Sequence, residues 1–203
     1  MPADPAVPFR QIRAAHTATT ITVYQAYSPA IADPALAAGR FVAPFKRDRM
    51  TWIKPSLLWM AYRSGWATKA GQERVLAIEL TRAGFEWALG HASLSHYEPG
   101  TYPDHDTWVA AKDASPVRIQ WDPERDLAHA PLDHRAIQIG LSDKAVDHYV
   151  DDWTIAITDT TNLFHRIRSH IDADEHDHAR TLLPDEPPYP IDQQLAVAIG
   201  ATT

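Results

Sequence analysis

The sequence predicts an α+β protein with a curved, mostly antiparallel sheet flanked by helices. Segments rich in β-branched and aromatic residues, such as residues 19–27 and 74–80, favour strands. Between the predicted strands, serine and proline mark the starts of helices, and glycine marks their ends. The strands are short and unequally spaced, which does not fit regular alternation of strand and helix. The chain of 203 residues, 45% of them hydrophobic, is sufficient for one domain with a sizeable core.

The first strand, residues 19–27, carries a polar anomaly. Alternation along a strand places Gln25 on the same face as Ile21 and Val23, and Tyr24 on the opposite face. An amide among aliphatic side chains requires a hydrogen-bond partner. A backbone group and a bound ligand are the two candidates for that partner.

Helix-start and helix-stop residues delimit two helices in the first third of the chain. Ser28 is a predicted N-cap for a helix from Pro29 to about Ala38. A second helix is predicted from Pro55 to Ser64, because proline is tolerated in a first turn. The remaining predicted elements are strand 74–80, a helix capped by Thr81, a long loop at 92–109, strands 115–121 and 134–141, a helix at 142–149, strand 152–158 and a helix capped by Asp159.

The most informative stretch is residues 50–66, MTWIKPSLLWMAYRSGW. Lys54 stands just before the predicted helix, where the backbone N–H groups of Ser56 and Leu57 would be free, and a helix N-terminus beside a lysine favours an anion. Arg63 lies far enough along the helix to share the face on which it starts. The alternative interpretation is a buried helix with two solvated charged ends.

The distribution of charge supports a local anion site. The net charge is −7, yet residues 1–90 carry 11 basic and 6 acidic residues, whereas residues 91–203 carry 8 and 20. Residues 40–82 hold 9 basic and 3 acidic residues. A basic segment in an acidic protein indicates a pocket for an anion more than a broad nucleic-acid surface. Unevenness along the chain without spatial meaning is the alternative.

Further candidate site residues lie outside this stretch. Arg10 and Arg13 are close enough to clamp a phosphate, and Asp122 and Glu124 follow a predicted strand, where loops carry chemistry. A surface arginine pair and a turn with a local ion pair are the alternatives. The predicted catalytic residues are Lys54, Asp122, Glu124 and Gln138, and the predicted substrate- or anion-binding residues are Arg10, Arg13, Tyr24, Gln25, Trp52, Ser56, Arg63, Arg125 and Arg135.

Several classes of site are excluded or not expected. The chain has no cysteine, which excludes disulfides, thiolate zinc sites and cysteine nucleophiles. It lacks a P-loop, GxGxxG, GxSxG and HExxH. No metal is expected, since the acidic, histidine-rich residues 172–180 are typical of a solvated linker. No apolar run approaches the ~20 residues of a membrane span, and no signal peptide is visible. We therefore expect a cytoplasmic location without a membrane partner.

We predict a single α+β domain at residues 1–171 and a C-terminal tail at 172–203, packed on or near the domain. The tail contains the proline-rich segment LLPDEPPYPI. It is joined to the domain through the histidine-rich stretch described above.

Several motifs resemble one family over most of the chain. ITVYQAYSPAIA, RMTWIKPSLLWMAYRSGW, GQERVLAIELTRAGFEWAL, VRIQWDPERDL and RAIQIGL are similar to domain-of-unknown-function family four-two-nine-one, as is LLPDEPPYPI. The resemblance implies no catalytic residue. It implies that the proline-rich segment belongs to the fold.

Three functions remain open from the sequence. The first is an enzyme acting on a nucleotide or nucleic acid; by analogy of pattern, the order of elements resembles an ADP-ribosyltransferase-type fold that binds NAD between two small sheets. The second is a non-catalytic module that binds nucleic acid or a protein through basic and tryptophan side chains. The third is a nucleotidyl transferase that uses Lys54 as its nucleophile.

Overall fold

The computed structural model describes residues 7–202, and within them the mixed α+β composition is confirmed. Seven strands form two sheets instead of the single predicted sheet. The strands are β1 Thr20–Tyr27, β2 Thr51–Ile53, β3 Arg74–Thr81, β4 Ala92–Leu94, β5 Val117–Arg125, β6 Pro131–Leu141 and β7 Thr154–Asp159.

Helices connect the strands and cover the sheets. They are α1 Pro29–Ala38, α2 Leu57–Ser64, α3 Arg82–Gly90, α4 His105–Ala114, α5 Lys144–His148, α6 Thr161–Asp172, α7 His176–Thr181 and α8 Gln193–Ala198. A π-helical turn at Tyr149–Trp153 follows α5 directly. Among the described residues, 7–202, none of the helices has the length and hydropathy of a membrane span.

The two sheets differ in pairing. The three-stranded sheet has the order β1-β3-β7 and is antiparallel throughout. The four-stranded sheet has the order β2-β6-β5-β4, and its β4–β5 pair is parallel while the others are antiparallel. Antiparallel pairing therefore predominates, as predicted.

The main hydrophobic core lies between the sheets. Ile21 and Val23 of β1 belong to the same buried cluster as Ile119 of β5 and Ile139 of β6. A second cluster contains Tyr24 of β1 together with buried residues of α2 and α6. The first strand thus packs on both faces, and its alternation separates the two clusters.

A single backbone bridge joins the sheets beside β2. The N–H of Tyr24 donates to the carbonyl oxygen of Lys54 at 2.7 Å, and the N–H of Lys54 donates back to Tyr24 O at 3.2 Å. This bridge holds the backbone of Lys54, which lies between β2 and α2, against β1.

The central helix begins later than predicted. It starts at Leu57 instead of Pro55, because Ser56 is the N-cap and its Oγ accepts from the N–H of Trp59 at 3.0 Å. Gly65 ends the helix in the left-handed region with φ 58°.

The predicted loop at 92–109 is wrong in part. It contains β4, which gains its partner only through tertiary pairing with β5. It also contains the start of α4, whose N-cap Asp104 accepts from the N–H of Thr107 at 2.7 Å. No residue of α4 is fully buried. A helix without a buried face needs no periodic apolar residues, which are the main signal for predicting a helix from sequence.

The predicted linker at 172–180 is also structured. Helix α6 extends to Asp172, and α7 follows after a short turn. Beyond α7 the chain returns to the core, where Tyr189 and Ile199 are buried in the larger cluster. Leu182 and Leu183 pack against the second cluster, and the residues from Tyr189 to Ala201 contribute to the larger one.

Candidate functional site: a cationic cleft at the junction of the sheets

A large cavity opens where the end of β1 meets β2. Its volume is about 420 Å3. The loop between α1 and β2, helix α2 and the turn after α2 complete its walls. This is a concave site of the size that small-molecule ligands occupy.

Basic side chains dominate the charge of this cavity, which we call the cationic cleft. Lys46, Arg49, Lys54 and Arg63 line it, and none of the lining side chains found within residues 7–202 is acidic. In that described part of the chain, the four cationic groups make no salt bridge. Arg47, beside Lys46 in sequence, differs because it points to Asp147 and Asp151. The cleft therefore holds a concentration of positive charge that the protein itself does not neutralise.

Lys54 is the buried member of this group. Its residue exposure is 6%, and its amine has no hydrogen-bond partner among the residues that the structure describes. Burial, together with the smaller influence of the Arg63 charge, lowers the pKa of the Lys54 amine to about 7, while the charge of Asp122 opposes the shift. At neutral pH a large share of these amines is consequently uncharged and nucleophilic.

Aromatic side chains provide the apolar part of the cleft. Tyr27, Phe45 and Trp52 line it. Phe45 packs edge-on against Tyr27 at a ring-centroid distance of 6.1 Å. Trp52 lies over Gly140, where an added Cβ would come within 3.0 Å of the indole ring. Aromatic surfaces next to cationic groups suit a ligand with a flat ring and phosphates.

Gln25 lines the cleft and is held by the protein. Its Nε2 donates to Thr51 Oγ1 at 2.7 Å and to Trp52 O at 3.1 Å, and its Oε1 accepts from the Tyr149 hydroxyl at 2.7 Å. The polar anomaly on the first strand is thereby explained, because Gln25 ties β1 to β2. The hydrogen-bond partners of the Gln25 amide are therefore protein groups and not a ligand.

Asp122 and Gln138 lie on the sheet face that carries Lys54. Strand register pairs Gln120 with Gln138, and alternation places Trp52 and Lys54 on that same side. Gln138 Nε2 donates to Asp122 Oδ2 at 2.6 Å, and Gln120 Nε2 donates to Oδ1 at 2.8 Å. Three of the four residues predicted to be catalytic thus lie on one sheet face, but of these only Lys54 lines the described cleft.

Glu124 and Ser56 lie on another side of α2, away from the cleft. Both border a second cavity of only about 10 Å3 together with Arg13 and Arg135. Glu124 is partly buried, and burial raises the pKa of its carboxyl. The predicted binding of an anion by Arg13, Ser56 and Arg135 together with Lys54 does not fit this placement, nor does the predicted catalytic role of Glu124 beside Lys54.

The helix N-terminus is not free for an anion. Leu57 N–H donates to Glu186 Oε1 at 3.0 Å, and Ser56 occupies the N–H of Trp59. Burial raises the pKa of Glu186 to about 8, since the Leu57 hydrogen bond offsets desolvation only in part. The expectation of free N–H groups is corrected, because a side chain of the C-terminal segment already fills that position.

The other predicted binding residues contact the protein. Arg10 pairs with Glu98 at 2.8 Å, and the Arg125 guanidinium lies 4.0 Å from the centroid of the Tyr62 ring. Tyr24 packs edge-on against Phe164 in the second core cluster. These three side chains are used in packing, and the cleft is instead completed by Lys46, Arg49, Tyr27, Phe45 and Thr51, which our sequence reasoning did not select.

A family comparison covers almost the whole of this architecture. The model described as "Domain of unknown function (DUF4291)" matches residues 11–189. The chain belongs to the DUF4291 family. A search of curated proteins found no match. In this DUF4291 protein the matched region contains every residue that lines the cationic cleft and also Glu186, which caps the helix behind it.

Proposed function

We propose that this protein is a nucleotide-directed enzyme that binds a nucleoside triphosphate in the cationic cleft and uses the Lys54 amine as its nucleophile. The observation that carries the proposal is the buried Lys54 amine, which faces a cleft with three further cations. Lysine is suited to this role because burial readily displaces its pKa toward neutrality.

The charges of the cleft match a polyphosphate. Lys46, Arg49 and Arg63 offer donors for phosphate oxygens, and arginine binds such oxygens through two N–H groups at once. Because no protein carboxylate among the described lining residues competes for them, these cations are available to a ligand. The aromatic wall formed by Phe45 and Trp52 suits the base.

The proposed reaction transfers a nucleotidyl group in two steps. The lone pair of the uncharged Lys54 Nζ attacks the α-phosphorus and forms a P–N bond, while the bond from this phosphorus to the bridging oxygen breaks. Pyrophosphate leaves with the electron pair, and the amine loses one proton to solvent. The oxygen of an acceptor hydroxyl then attacks the same phosphorus and forms a P–O bond while the P–N bond breaks. The hydroxyl proton is transferred to the departing nitrogen, which restores the free lysine amine. Arg63 and its cationic neighbours stabilise the charge that develops on the phosphates.

The NAD-dependent alternative has less support from the cleft. Transfer of ADP-ribose needs a carboxylate or amide close to the ribose to steady an oxocarbenium charge. Gln25 is the amide nearest this role, and it is committed to Tyr149 and Thr51. Asp122 and Glu124 do not line the described cleft. Two small sheets with a cleft at their junction remain the feature that favours this alternative.

A covalent adduct is the decisive measurement. The full-length protein is incubated with ATP or GTP and MgCl2, and its intact mass is measured. We expect an increase by one nucleoside monophosphate, lost on mild acid treatment as P–N bonds are, and absent in Lys54→Met. Lys112→Met is the matched control, since Lys112 lies on α4 over Trp108, away from the cleft.

The other outcomes separate the alternatives. Thermal stabilisation by NAD with no adduct would favour ADP-ribosyl chemistry and refute the lysine mechanism. Affinity for a short RNA that falls steeply with salt, again without an adduct, would favour a non-catalytic binding module. An adduct that persists in Lys54→Met would place the nucleophile elsewhere.

A further inference from the structure

Three metal-ligating side chains converge where α6 passes into α7, and none of them lines the described cationic cleft. His170 is in the last turn of α6, Glu175 precedes α7, and His178 is inside α7. One potential ligand atom from each of them lies within 4.8 Å of the other two. We call these residues the His-Glu-His cluster.

The distances are close to those that a tetrahedral ion requires. Zinc–nitrogen bonds of roughly 2.0–2.1 Å place neighbouring ligand atoms about 3.3 Å apart. His170 Nδ1 lies 2.6 Å from Glu175 Oε2, and His178 Nδ1 lies 3.8 Å from the same oxygen. One distance is shorter and the other longer than that spacing. Small side-chain rotations are therefore enough to place an ion between the three groups.

The backbone holds these positions without help from an ion. Glu175 N–H donates to His170 O at 2.8 Å and closes the turn, and Asp174 within it has φ 59°. Ala179 N–H donates to Glu175 O at 3.0 Å, and the Ala179 side chain is fully buried in the second core cluster. A site carried on packed helices keeps its geometry better than one on a free loop.

We propose that the His-Glu-His cluster binds a zinc-class divalent transition-metal ion and cross-links α6 to α7. Two imidazoles and one carboxylate form a ligand set that suits zinc, nickel or copper, whereas magnesium and calcium prefer oxygen ligands. Three protein ligands leave a fourth position to water. This assignment differs from the expectation of no metal, because His170 comes from the preceding helix and only the turn brings it to His178. It does not depend on the proposed nucleotidyl transfer.

The neighbouring histidines provide matched controls. His176 Nε2 pairs with Asp174 Oδ1 at 3.0 Å and is outside the cluster. His165 is exposed on α6, five residues before His170, and is also outside it. Because the chain has no cysteine, zinc binding reports on histidine and carboxylate sites alone.

The test is calorimetric titration of the full-length protein with ZnCl2 after chelator treatment. We expect one equivalent to bind with a Kd on the order of micromolar. His170→Ala and Glu175→Ala should each weaken binding at least tenfold, while His165→Ala and His176→Ala should bind like the wild type. Circular dichroism confirms that each variant is folded. Zinc should raise the Tm of the wild type and of both controls only.

Three results would overturn the assignment. One is the absence of saturable zinc binding. Another is unchanged binding in His170→Ala. A third is loss of binding in His176→Ala, which would place any ion at a different pair. Titrations with MgCl2 and CaCl2 should show no comparable binding, and tighter binding of calcium than zinc would contradict the zinc class.

Discussion

Two ionisable side chains, the buried Lys54 and the half-buried Glu186, flank the start of α2, and their surroundings are opposite. Lys54 faces a cleft of about 420 Å3 and has no partner for its amine among the described residues. Glu186 approaches from the other side, accepts from Leu57 N–H at 3.0 Å and lies near Glu124, beside which the cavity is only about 10 Å3. Burial moves both pKa values toward neutrality, to about 7 for Lys54 and about 8 for Glu186.

Access from the adjoining cavity distinguishes Lys54 from Glu186. A buried carboxyl that caps a helix and has no space beside it can remain protonated and act as a hydrogen-bonding side chain. A buried amine without a partner is costly, and beside a cavity it is accessible to a ligand. Desolvation displaces the pKa of both groups, but only the Lys54 amine can be reached from a cavity large enough for a ligand.

The largest expected effect is that of Lys54→Met, which should abolish nucleotide binding and adduct formation. It should also raise the free energy of unfolding by about 4 kcal/mol at pH 7, because an unfolded lysine binds a proton that the buried amine releases. The folded pKa of Lys54 is lowered to about 7, so this cost is fully present below pH 7 and disappears as the pH approaches 10.5. Urea unfolding of both proteins at pH 6.5 and 10 measures the difference.

Lys112→Met is the control and should change neither quantity. If Lys54→Met is destabilised at pH 6.5, the amine has a stabilising partner and the contrast with Glu186 fails.

Gln25→Leu should have the next largest effect, a loss of about 2–3 kcal/mol of stability. It leaves the hydroxyl of the fully buried Tyr149 and the Thr51 hydroxyl without their amide partner. Tyr149→Phe should cost less, about 1–2 kcal/mol, since it leaves only the amide oxygen unpaired.

Because these two residues contact each other, the double variant should lose less stability than the sum of the single ones. Denaturant unfolding of the four proteins gives the coupling energy. Strict additivity would show that the hydrogen bond between Gln25 and Tyr149 does not contribute to stability.

Glu186→Gln should stabilise the protein by about 1–2 kcal/mol above pH 8 and leave nucleotide binding unchanged. The folded pKa of Glu186, about 8, exceeds its ordinary value of 4.5. Stability from this group is therefore fully present below pH 4.5 and is lost as the pH rises through 8. Glutamine keeps the oxygen that accepts from Leu57 N–H and cannot ionise. Thermal melts from pH 5 to 9 should show a flatter decline in the variant, and an unchanged decline would mean that Glu186 is not the buried proton carrier.

Arg63→Ala should have the smallest effect, a loss of about tenfold in nucleotide affinity, because one of several phosphate donors is removed. The charge of Arg63 lowers the pKa of Lys54, so the pH midpoint of adduct formation should move upward. Arg47→Ala is the matched control, since Arg47 pairs with Asp147 and Asp151. A midpoint that stays in place in Arg63→Ala would show that the two cations do not interact in the cleft.

Local signals were sufficient for much of the fold. The strand predicted at 19–27 is observed at Thr20–Tyr27, and the helix predicted at Pro29–Ala38 has those bounds. The strand is rich in β-branched residues. The helix has a proline in its first turn and a glycine directly after its last residue. Thr81 is the predicted cap of α3 and accepts from Gly84 N–H at 3.1 Å.

Elements with weak local signals were missed. Strand β2 has only three residues, Thr51–Ile53, and its existence depends on its partner β6. The shared site of Lys54 and Arg63 was anticipated because both belong to one short segment. Arg49 and Tyr27 were not selected, since nothing in their local sequence shows that the loop before β2 folds over the end of β1.

The amino-acid sequence by itself determined the α+β composition, the family and the concentration of basic residues around the central helix, because these depend on residue type and short-range spacing. Only the tertiary structure decided which cations share a cavity, which helix end is already capped by Glu186, and that His170 meets His178. These outcomes depend on contacts between residues distant in the chain or turned toward each other by a tight bend. Desolvation follows from those contacts, so the displaced pKa values of Lys54 and Glu186 are properties of the folded molecule.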